Sequence, residues 1–213
     1  PTAPFANRGF LWWQGESNAS RHEEYACLFP ALIRGWSKVW NTPEAPFIFV
    51  GLHNFGPKQR RPVQDAPWPA LRDAQLHTMR EVENAWMVSA IDVKEDTEAN
   101  WQIHPHNKQL AGKRLFLAAM DVTYDADVHG LSPLFQNAEF KGQEVVLCFA
   151  HVGEGLAAGQ PPEAEWMPDT QLAGFAVAGA DRRWHRAKAS ITATDEVTVT
   201  CPRVSKPVAV RYN

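Results

Sequence analysis

A group of polar residues directly follows a short apolar run near the beginning of the sequence. The apolar run is 10–13, and the residues that follow it are Gln14, Gly15, Glu16, Ser17 and Asn18. A run of this length is typical of a buried strand, and the catalytic groups of α/β proteins collect where such strands end. An amide, a glycine N–H and a carboxylate can bind an oxyanion or orient a histidine. The pattern therefore indicates a candidate site, although an ordinary polar turn has the same composition.

A second candidate is His104, because it stands immediately before Pro105. Proline is favoured at the first position of a helix, so we predict a helix over 105–120 with His104 at its N-terminus. The positive end of the helix dipole disfavours the imidazolium ion and helps to keep a general base neutral. The spacing alone leaves open that His104 is a capping or core histidine.

His106 lies two residues after His104 and is expected at the surface. A His-x-His pair also occurs in metal sites, but zinc needs three or four protein ligands. No third candidate ligand lies at a diagnostic spacing, so we predict no metal site.

These candidates must be held by a framework of alternating strands and helices. Helical spacing of apolar residues runs from Ser20 to Trp40, and Ser20 with Glu23 forms a capping box that is expected to begin this helix. A second helix is predicted from Pro69 to about Glu83, with a buried strand over 46–52 and a third strand over 85–91. Strands that alternate with helices predict a parallel sheet with helices on both faces.

After Asp121 the helical spacing stops and short strands between turn residues are predicted. They run over 144–150, 172–178, 187–192, 196–200 and 208–212. The stretch 153–168 is rich in Gly, Pro and Glu and is predicted as a surface loop. We therefore expect two domains, an α/β domain over 1–120 and a β-rich domain over 121–213.

Composition and charge argue against several classes of partner. The net charge of −3 provides no basic surface for nucleic acid or for an acidic membrane. Hydrophobic content of 45% and charged content of 21% are those of an ordinary globular protein. The three cysteines are odd in number and far apart, so no disulfide framework or zinc ribbon is expected. Nine tryptophans are a weak indication of sugar binding, since aromatic rings stack on sugars.

Residues 12–18 resemble the W-x-Q-G-E-x-N block of the sialate O-acetylesterase-like branch of the SGNH hydrolases, esterases that remove acetyl groups from sugars. Residues 103–108 are similar to the I-H-P-x-N-K segment of that family, which carries the catalytic histidine. Residues 147–156 and 174–181 are similar to its β-rich segments, and 207–212 to its P-x-A-V-R-Y run. The matches occur in the family's order over nearly the whole chain.

The resemblance implies a fold and an activity. The implied fold is an α/β, SGNH-type three-layer sandwich with a parallel sheet that is incomplete at its N-terminus, followed by a β-rich C-terminal subdomain. The implied activity is serine-dependent hydrolysis of acetyl esters on sialic acid or a related glycan, without a cofactor. The family's compartments, which are secreted, periplasmic or lysosomal, are suggested by the resemblance alone.

The family's nucleophilic serine lies in a G-Q-S-N-type block upstream of W-x-Q-G-E, and too few residues precede Gln14 for that block. We therefore expect the serine on an N-terminal segment of the same enzyme, as a partner of this chain. Ser17 is an unfavoured substitute, because the family places small polar residues that support the loop there. The alternative is a non-catalytic, carbohydrate-binding remnant of such an esterase.

The resemblance also implies roles for individual residues. His104 is the general base, while Gln14, Gly15 and Asn18 contribute to the oxyanion hole or to substrate binding. The family's aspartate two residues before the histidine is replaced by Gln102, which can orient an imidazole but cannot offset its charge.

Glu16 is therefore our first candidate for the acid of the triad, and Asp96 and Glu98 are the next. It remains open that Glu16 binds structure or substrate and that His104 works without an acid.

Overall fold

The computed structural model describes residues 5–57, 61–62, 66–94, 101–159 and 171–212. The chain separates into two compact units, one formed by Pro1–Pro57 with Asp65–Ser132 and the other by Lys58–Gln64 with Pro133–Asn213. The units part between Ser132 and Pro133, and a domain boundary after residue 120 stays a prediction. None of the described helices is long and apolar enough to cross a membrane.

The first unit is built on three parallel strands in the order β1-β2-β3. The strands are β1 (Phe10–Trp12), β2 (Phe47–Val50) and β3 (Ala85–Val88). The central strand β2 is buried on both sides, as expected for a parallel sheet covered by helices. β1 is half-buried and pairs with β2 alone among the described strands, and Leu11 on β1 is 60% exposed.

Three helices cover the two faces of this sheet. They are α1 (His22–Trp40), α2 (Pro67–Glu81) and α3 (Lys108–Tyr124). Phe47 and Phe49 pack against α1 and α2 on one face, and Ile48 and Val50 pack against α3 on the other. Because successive side chains of a strand point to opposite faces of the sheet, the apolar residues of β2 belong alternately to two hydrophobic cores. The predicted parallel sheet with helices on both faces is confirmed.

All three predicted helix starts differ from the structure, and α2 begins at Pro67, two residues before the predicted Pro69. Ser20 does not cap α1, because it lies inside a 3-10 helix over Glu16–Arg21, and α1 begins at His22 without a side-chain cap. An N-cap residue must be non-helical, so a residue within this turn cannot act as one. α3 begins at Lys108 and not at Pro105, since the side chain of Asn107 accepts the N–H of Leu110 at 3.0 Å and caps the helix there.

The second unit consists of antiparallel strands in two sheets. The five-stranded sheet has the order β4 (Leu134–Lys141), β5 (Glu144–Ala150), β10 (Glu196–Thr200), β9 (Lys188–Ile191) and β6 (Gln171–Leu172). The three-stranded sheet has the order β11 (Ala209–Tyr212), β7 (Phe175–Ala178) and β8 (Trp184–Arg186). The predicted β-rich C-terminal part is confirmed.

Two features of this unit differ from the predicted strands. The predicted strand 172–178 is two strands in different sheets, because the chain turns at Gly174, which has a φ of 90°. β4 and β8 were not predicted, since β4 is largely exposed and interrupted by a bulge and β8 has three residues. The predicted loop 153–168 lies partly outside the described residues, and its described part contains no strand or helix.

Candidate active site

The polar residues after β1 form a tight turn that brings two amide side chains together. The Nε2 of Gln14 donates to Oδ1 of Asn18 at 2.7 Å, and the backbone N–H of Asn18 donates to the Gly15 carbonyl at 2.8 Å. The 3-10 helix that follows therefore starts at the predicted site and holds Gln14, Gly15 and Asn18 in one small region.

Gly15 occupies a position that only glycine fits well. Its φ is 152° with a ψ of −22°, and the residue is buried. A Cβ atom here would lie 2.8 Å from Cδ2 of Leu71 and 3.2 Å from Nε2 of Gln75. Glycine is therefore required both by the backbone conformation and by the close approach of α2.

Gln75 is a site residue that the sequence analysis did not identify. It is fully buried on α2, and its Oε1 accepts the N–H of Leu52 at 3.0 Å. Its Nε2 donates to the carbonyl of Gln14 at 3.3 Å and to that of Val50 at 3.4 Å. One side chain thus joins the carboxyl ends of β1 and β2. The sequence signal for Gln75 is a polar amide on the buried face of α2, where apolar residues are expected.

Tyr25 makes a second contact with the same carbonyl. Its hydroxyl donates to the backbone oxygen of Gln14 at 3.3 Å, and its ring is almost fully buried. Burial raises the pKa of Tyr25 to about 12, the polar side-chain groups of Gln75 and Trp12 near the hydroxyl oppose this rise, and the charge of Glu16 adds to it. The hydroxyl therefore stays protonated and can donate at any working pH.

His104 lies on the exposed loop before α3. Its backbone oxygen accepts from Nε2 of Gln102 at 2.9 Å, and the same Nε2 lies 3.2 Å from Nε2 of His106. His104 and His106 are both exposed. The amide of Gln102 therefore contacts the backbone of His104 and the ring of His106. Because α3 begins at Lys108, the predicted placement of His104 at a helix N-terminus is wrong.

The loop is anchored to the carboxyl end of β2. The Nε2 of the buried His53 lies 3.2 Å from the carbonyl of Gln102, which can only accept, so Nε2 carries the proton. The indole N–H of Trp68 donates to the backbone oxygen of His53 at 2.7 Å. Phe55 stacks on Trp68 with ring centroids 4.2 Å apart.

Trp101 stands three residues before His104 and is 67% exposed. Its ring meets Phe55 edge-on at 5.3 Å, and a Cβ on Gly56 would touch the ring at 3.3 Å. Trp101 therefore rests on a packed aromatic base while much of its surface faces solvent.

A cation–π contact brings the two predicted site segments together. The Nζ of Lys108, the first residue of α3, lies 4.3 Å from the centroid of the Trp13 ring. Trp13 directly precedes Gln14, and Lys108 ends the segment that contains His104. The last residue of the 103–108 segment therefore contacts the residue that directly precedes Gln14.

Among the described residues, no carboxylate forms a hydrogen bond or an ion pair with the side chain of His104. Glu16 is half-buried, and neither a hydrogen bond nor an ion pair links its side chain to His104. Asp96 and Glu98 lie outside the described residues. Ser17 is exposed. Among the described side chains there is also no group of three or more His, Cys, Asp or Glu residues that could hold a metal ion.

Arg114 of α3 fixes the segment that follows β3. Its Nη1 and Nη2 donate to Oδ1 and Oδ2 of Asp92 at 2.5 and 2.8 Å, and Nη1 also donates to the Ser89 carbonyl at 2.9 Å. The Arg114 hydrogen bond holds the pKa of Asp92 below its usual value. Asp92 is thus engaged in holding the start of the segment that leads to His104.

Comparison with known proteins gives one family. The sequence profile described as carbohydrate esterase, sialic acid-specific acetylesterase, matches residues 3–121. The sialate O-acetylesterase of Rattus norvegicus is 32% identical over 130 residues, which cover 55% of this chain and 23% of that protein. The sialate O-acetylesterase of Homo sapiens is 28% identical over 134 residues, 58% of this chain and 26% of that protein.

A solved structure is similar over the whole length of the chain. The crystal structure of a carbohydrate acetylesterase from Xanthomonas citri matches with a TM-score of 0.82 and 34% identity. The match covers 100% of this chain and 46% of that chain. The chain therefore spans about a quarter of the curated relatives and less than half of this structural neighbour.

Proposed function

The chain belongs to the carbohydrate esterase family of sialic acid-specific acetylesterases, and from that premise we propose that it forms part of the active site of a sialate O-acetylesterase or a related carbohydrate O-acetylesterase. The observation that carries the proposal is the contact of Lys108 with Trp13, because it links the end of the segment that contains His104 to the residue that precedes Gln14. An ester hydrolase needs a base and oxyanion donors close together.

In the proposed mechanism, a serine outside this chain attacks the acetyl carbonyl of the substrate. His104 accepts the serine proton and passes it to the departing sugar oxygen, which leaves an acetyl-serine. His104 then activates a water molecule that releases acetate and restores the serine. The Gly15 N–H and the Gln14 amide stabilise the negative charge on the carbonyl oxygen, and Asn18 holds the Gln14 amide through their 2.7 Å hydrogen bond.

Glu16 remains our first candidate for the acid that supports His104. It belongs to the same turn as Gln14 and Gly15, and its charge acts on the hydroxyl of Tyr25. The half-buried side chain of Glu16 or the exposed side chain of His104 has to change its conformation to form the contact, so the assignment is tested kinetically. Asp96 and Glu98 stay as alternatives.

We assign to Trp101 the role of binding the sugar part of the substrate. Aromatic rings bind the apolar faces of sugar rings, and this exposed ring is held by Phe55 three residues from the proposed base. The same observation favours the second candidate function, a carbohydrate-binding remnant without catalysis. A G-Q-S-N-type block encoded upstream of this chain supports the enzyme, whereas its absence favours the remnant.

The serine is proposed to come from an N-terminal segment of the same enzyme. Support comes from β1, which has one side unpaired among the described strands and exposes Leu11. An open strand edge is a template for a further strand. Co-expression of this chain with the upstream segment is expected to yield acetylester hydrolysis. Hydrolysis by the 213-residue chain alone would place the nucleophile within it and contradict this assignment.

The test of the function itself is replacement of His104 with alanine in the complete esterase. We expect kcat on an acetylated sugar to fall by several orders of magnitude, since only binding and the oxyanion donors remain. His106→Ala is the matched control, because His106 is also exposed on the same loop, and it is expected to change kcat little. Equal losses in both variants, or inhibition by a chelator, would instead indicate metal chemistry.

A further inference from the structure

The backbone carbonyl of Gln14 accepts hydrogen bonds from two buried side chains. The Tyr25 hydroxyl and the Gln75 Nε2 each approach it at 3.3 Å. A carbonyl oxygen has two lone pairs and can accept both bonds. The donors come from different helices, Tyr25 from α1 and Gln75 from α2, so the carbonyl is held from two directions.

Both donors are buried, so each needs hydrogen-bond partners within the protein, and Gln75 also has the Val50 carbonyl and the Leu52 N–H as partners. Tyr25 is 4% exposed and its ring packs on Phe29 at 5.1 Å, while Gln75 is 0% exposed between Leu71 and Thr78 on α2. Burying a hydroxyl or an amide without a partner is costly. The two side chains therefore hold the Gln14–Gly15 peptide in one orientation.

The other end of the same peptide group is the N–H of Gly15. The peptide unit is planar and conjugated, so hydrogen bonds at its carbonyl increase its polarity and strengthen its N–H as a donor. In the described part of the chain, and apart from bonds within helices and strands, this N–H donates to no backbone acceptor. Residue 15 is a glycine, as its φ of 152° requires, so it carries no side chain beside this N–H.

We propose that Tyr25 and Gln75 are positioning residues that orient and polarise the Gln14–Gly15 peptide, so that the Gly15 N–H binds the oxyanion more strongly. The inference rests on the proposed esterase function and extends it to two residues that do not touch the substrate. Neither belongs to the turn that carries the site, and Gln75 lies 61 residues from Gln14.

The experiment measures hydrolysis and transition-state affinity in the complete esterase. Tyr25→Phe removes only the hydroxyl and is the decisive variant. Gln75→Met removes the second donor, but it also removes the contacts of Gln75 with the Leu52 N–H and the Val50 carbonyl. Tyr25→Phe is expected to lower kcat by about three- to tenfold, the effect of one neutral hydrogen bond, with KM unchanged. The affinity for a boronic acid, which forms a tetrahedral anion on the serine, is expected to fall by the same factor.

Thr78→Val is the matched control. Its hydroxyl is also buried on α2 and donates to the Ala74 carbonyl at 3.0 Å, away from Gln14. It is expected to leave both quantities at the parent values. If Tyr25→Phe lowers kcat but leaves the boronic acid affinity of the active fraction unchanged, the tyrosine is only structural and the proposal is overturned. Parent-like values of both quantities in Tyr25→Phe would also overturn it.

A second measurement separates this proposal from the function on which it rests. The amide 15N resonance of Gly15 reports the hydrogen bonds at the preceding carbonyl and is expected to move upfield in Tyr25→Phe but not in Thr78→Val. A parent enzyme without esterase activity refutes the proposed function. In that case an unchanged Gly15 resonance in Tyr25→Phe also refutes the polarised peptide, and a shifted one supports it.

Discussion

Replacing Gly15 with alanine is expected to cost both stability and activity. The backbone at φ 152° is strained for an L-residue, at about 1–3 kcal/mol. The new Cβ would lie 2.8 Å from Cδ2 of Leu71 and 3.2 Å from Nε2 of Gln75, and overpacking of this kind costs about 1–3 kcal/mol more. The free energy of unfolding is therefore expected to fall by about 2–6 kcal/mol, a large share of the stability of a typical domain.

Relief of these contacts requires α2 or the turn to move, and the proposed oxyanion donor moves with it. We expect kcat to fall by at least about tenfold in the molecules that remain folded, since a 1 Å displacement at a site is costly. Urea unfolding gives the stability, and hydrolysis of an acetylated chromogenic substrate well below the melting temperature gives kcat.

Gly112→Ala and Gly35→Ala are the controls, because both glycines lie within helices and a Cβ there meets nothing within 4 Å. Each control is expected to stabilise the protein by about 0.5–1 kcal/mol through helix propensity. A Gly15→Ala variant with the parent's unfolding midpoint and kcat would refute the reasoning from the backbone and the contacts.

Two further predictions concern the surroundings of the site. Trp101→Ala is expected to raise KM for an acetylated sugar by about three- to tenfold and to leave KM for a small chromogenic acetyl ester unchanged. Phe116→Ala is the control, because Phe116 is also an exposed aromatic residue. Equal losses on both substrates would contradict a sugar contact. Asp92→Asn is expected to lower the free energy of unfolding by about 1 kcal/mol at pH 7, the upper end for a partly exposed, bidentate ion pair. Because Arg114 lowers the pKa of Asp92 in the folded state, this stability is present above the unfolded value near pH 4 and is lost as the pH falls through the folded value, so variant and parent should converge at low pH. Glu24→Gln breaks an exposed pair and should leave the midpoint unchanged, and a difference for Asp92→Asn that persists unchanged at low pH would contradict the explanation.

The framework could be predicted because its signals are local in sequence. β2 is a continuous apolar run that the structure buries on both faces, and the predicted bounds of β5 and β10 agree with the structure. Gln14 and Asn18 could be placed together because they are only four positions apart in the sequence and lie in one tight turn. In each case, the physical cause acts between neighbouring residues.

The remaining features depend on contacts that are distant in sequence or on competing local signals. Gln75 appears as one polar residue on an apolar helix face, and its partner Gln14 is 61 residues away. At the start of α3, Pro105 and Asn107 are both acceptable helix-start residues, and the Asn107 side chain determines the outcome by capping Leu110.

The role of Gln102 follows from which atoms it touches. Its Nε2 donates to the backbone oxygen of His104 and contacts the ring of His106, so it holds the loop and does not reach the His104 imidazole. An aspartate at this position has no N–H and would lose the 2.9 Å bond to the His104 carbonyl, at a cost of about 0.5–1.5 kcal/mol in loop stability. It would also add a carboxylate near Glu16 if Glu16 serves His104, and two carboxylates at one site repel each other.

We therefore expect Gln102→Asp to leave kcat/KM of the complete esterase unchanged or lower, and Glu16→Gln to reduce it strongly. The measurement is kcat/KM on an acetylated chromogenic substrate for Gln102→Asp, Glu16→Gln and the double variant. If the new aspartate instead reaches His104 and completes the triad, kcat would rise by up to a few orders of magnitude. Such a gain, together with a nearly silent Glu16→Gln, would remove Glu16 from the triad and leave it a structural or substrate-binding residue.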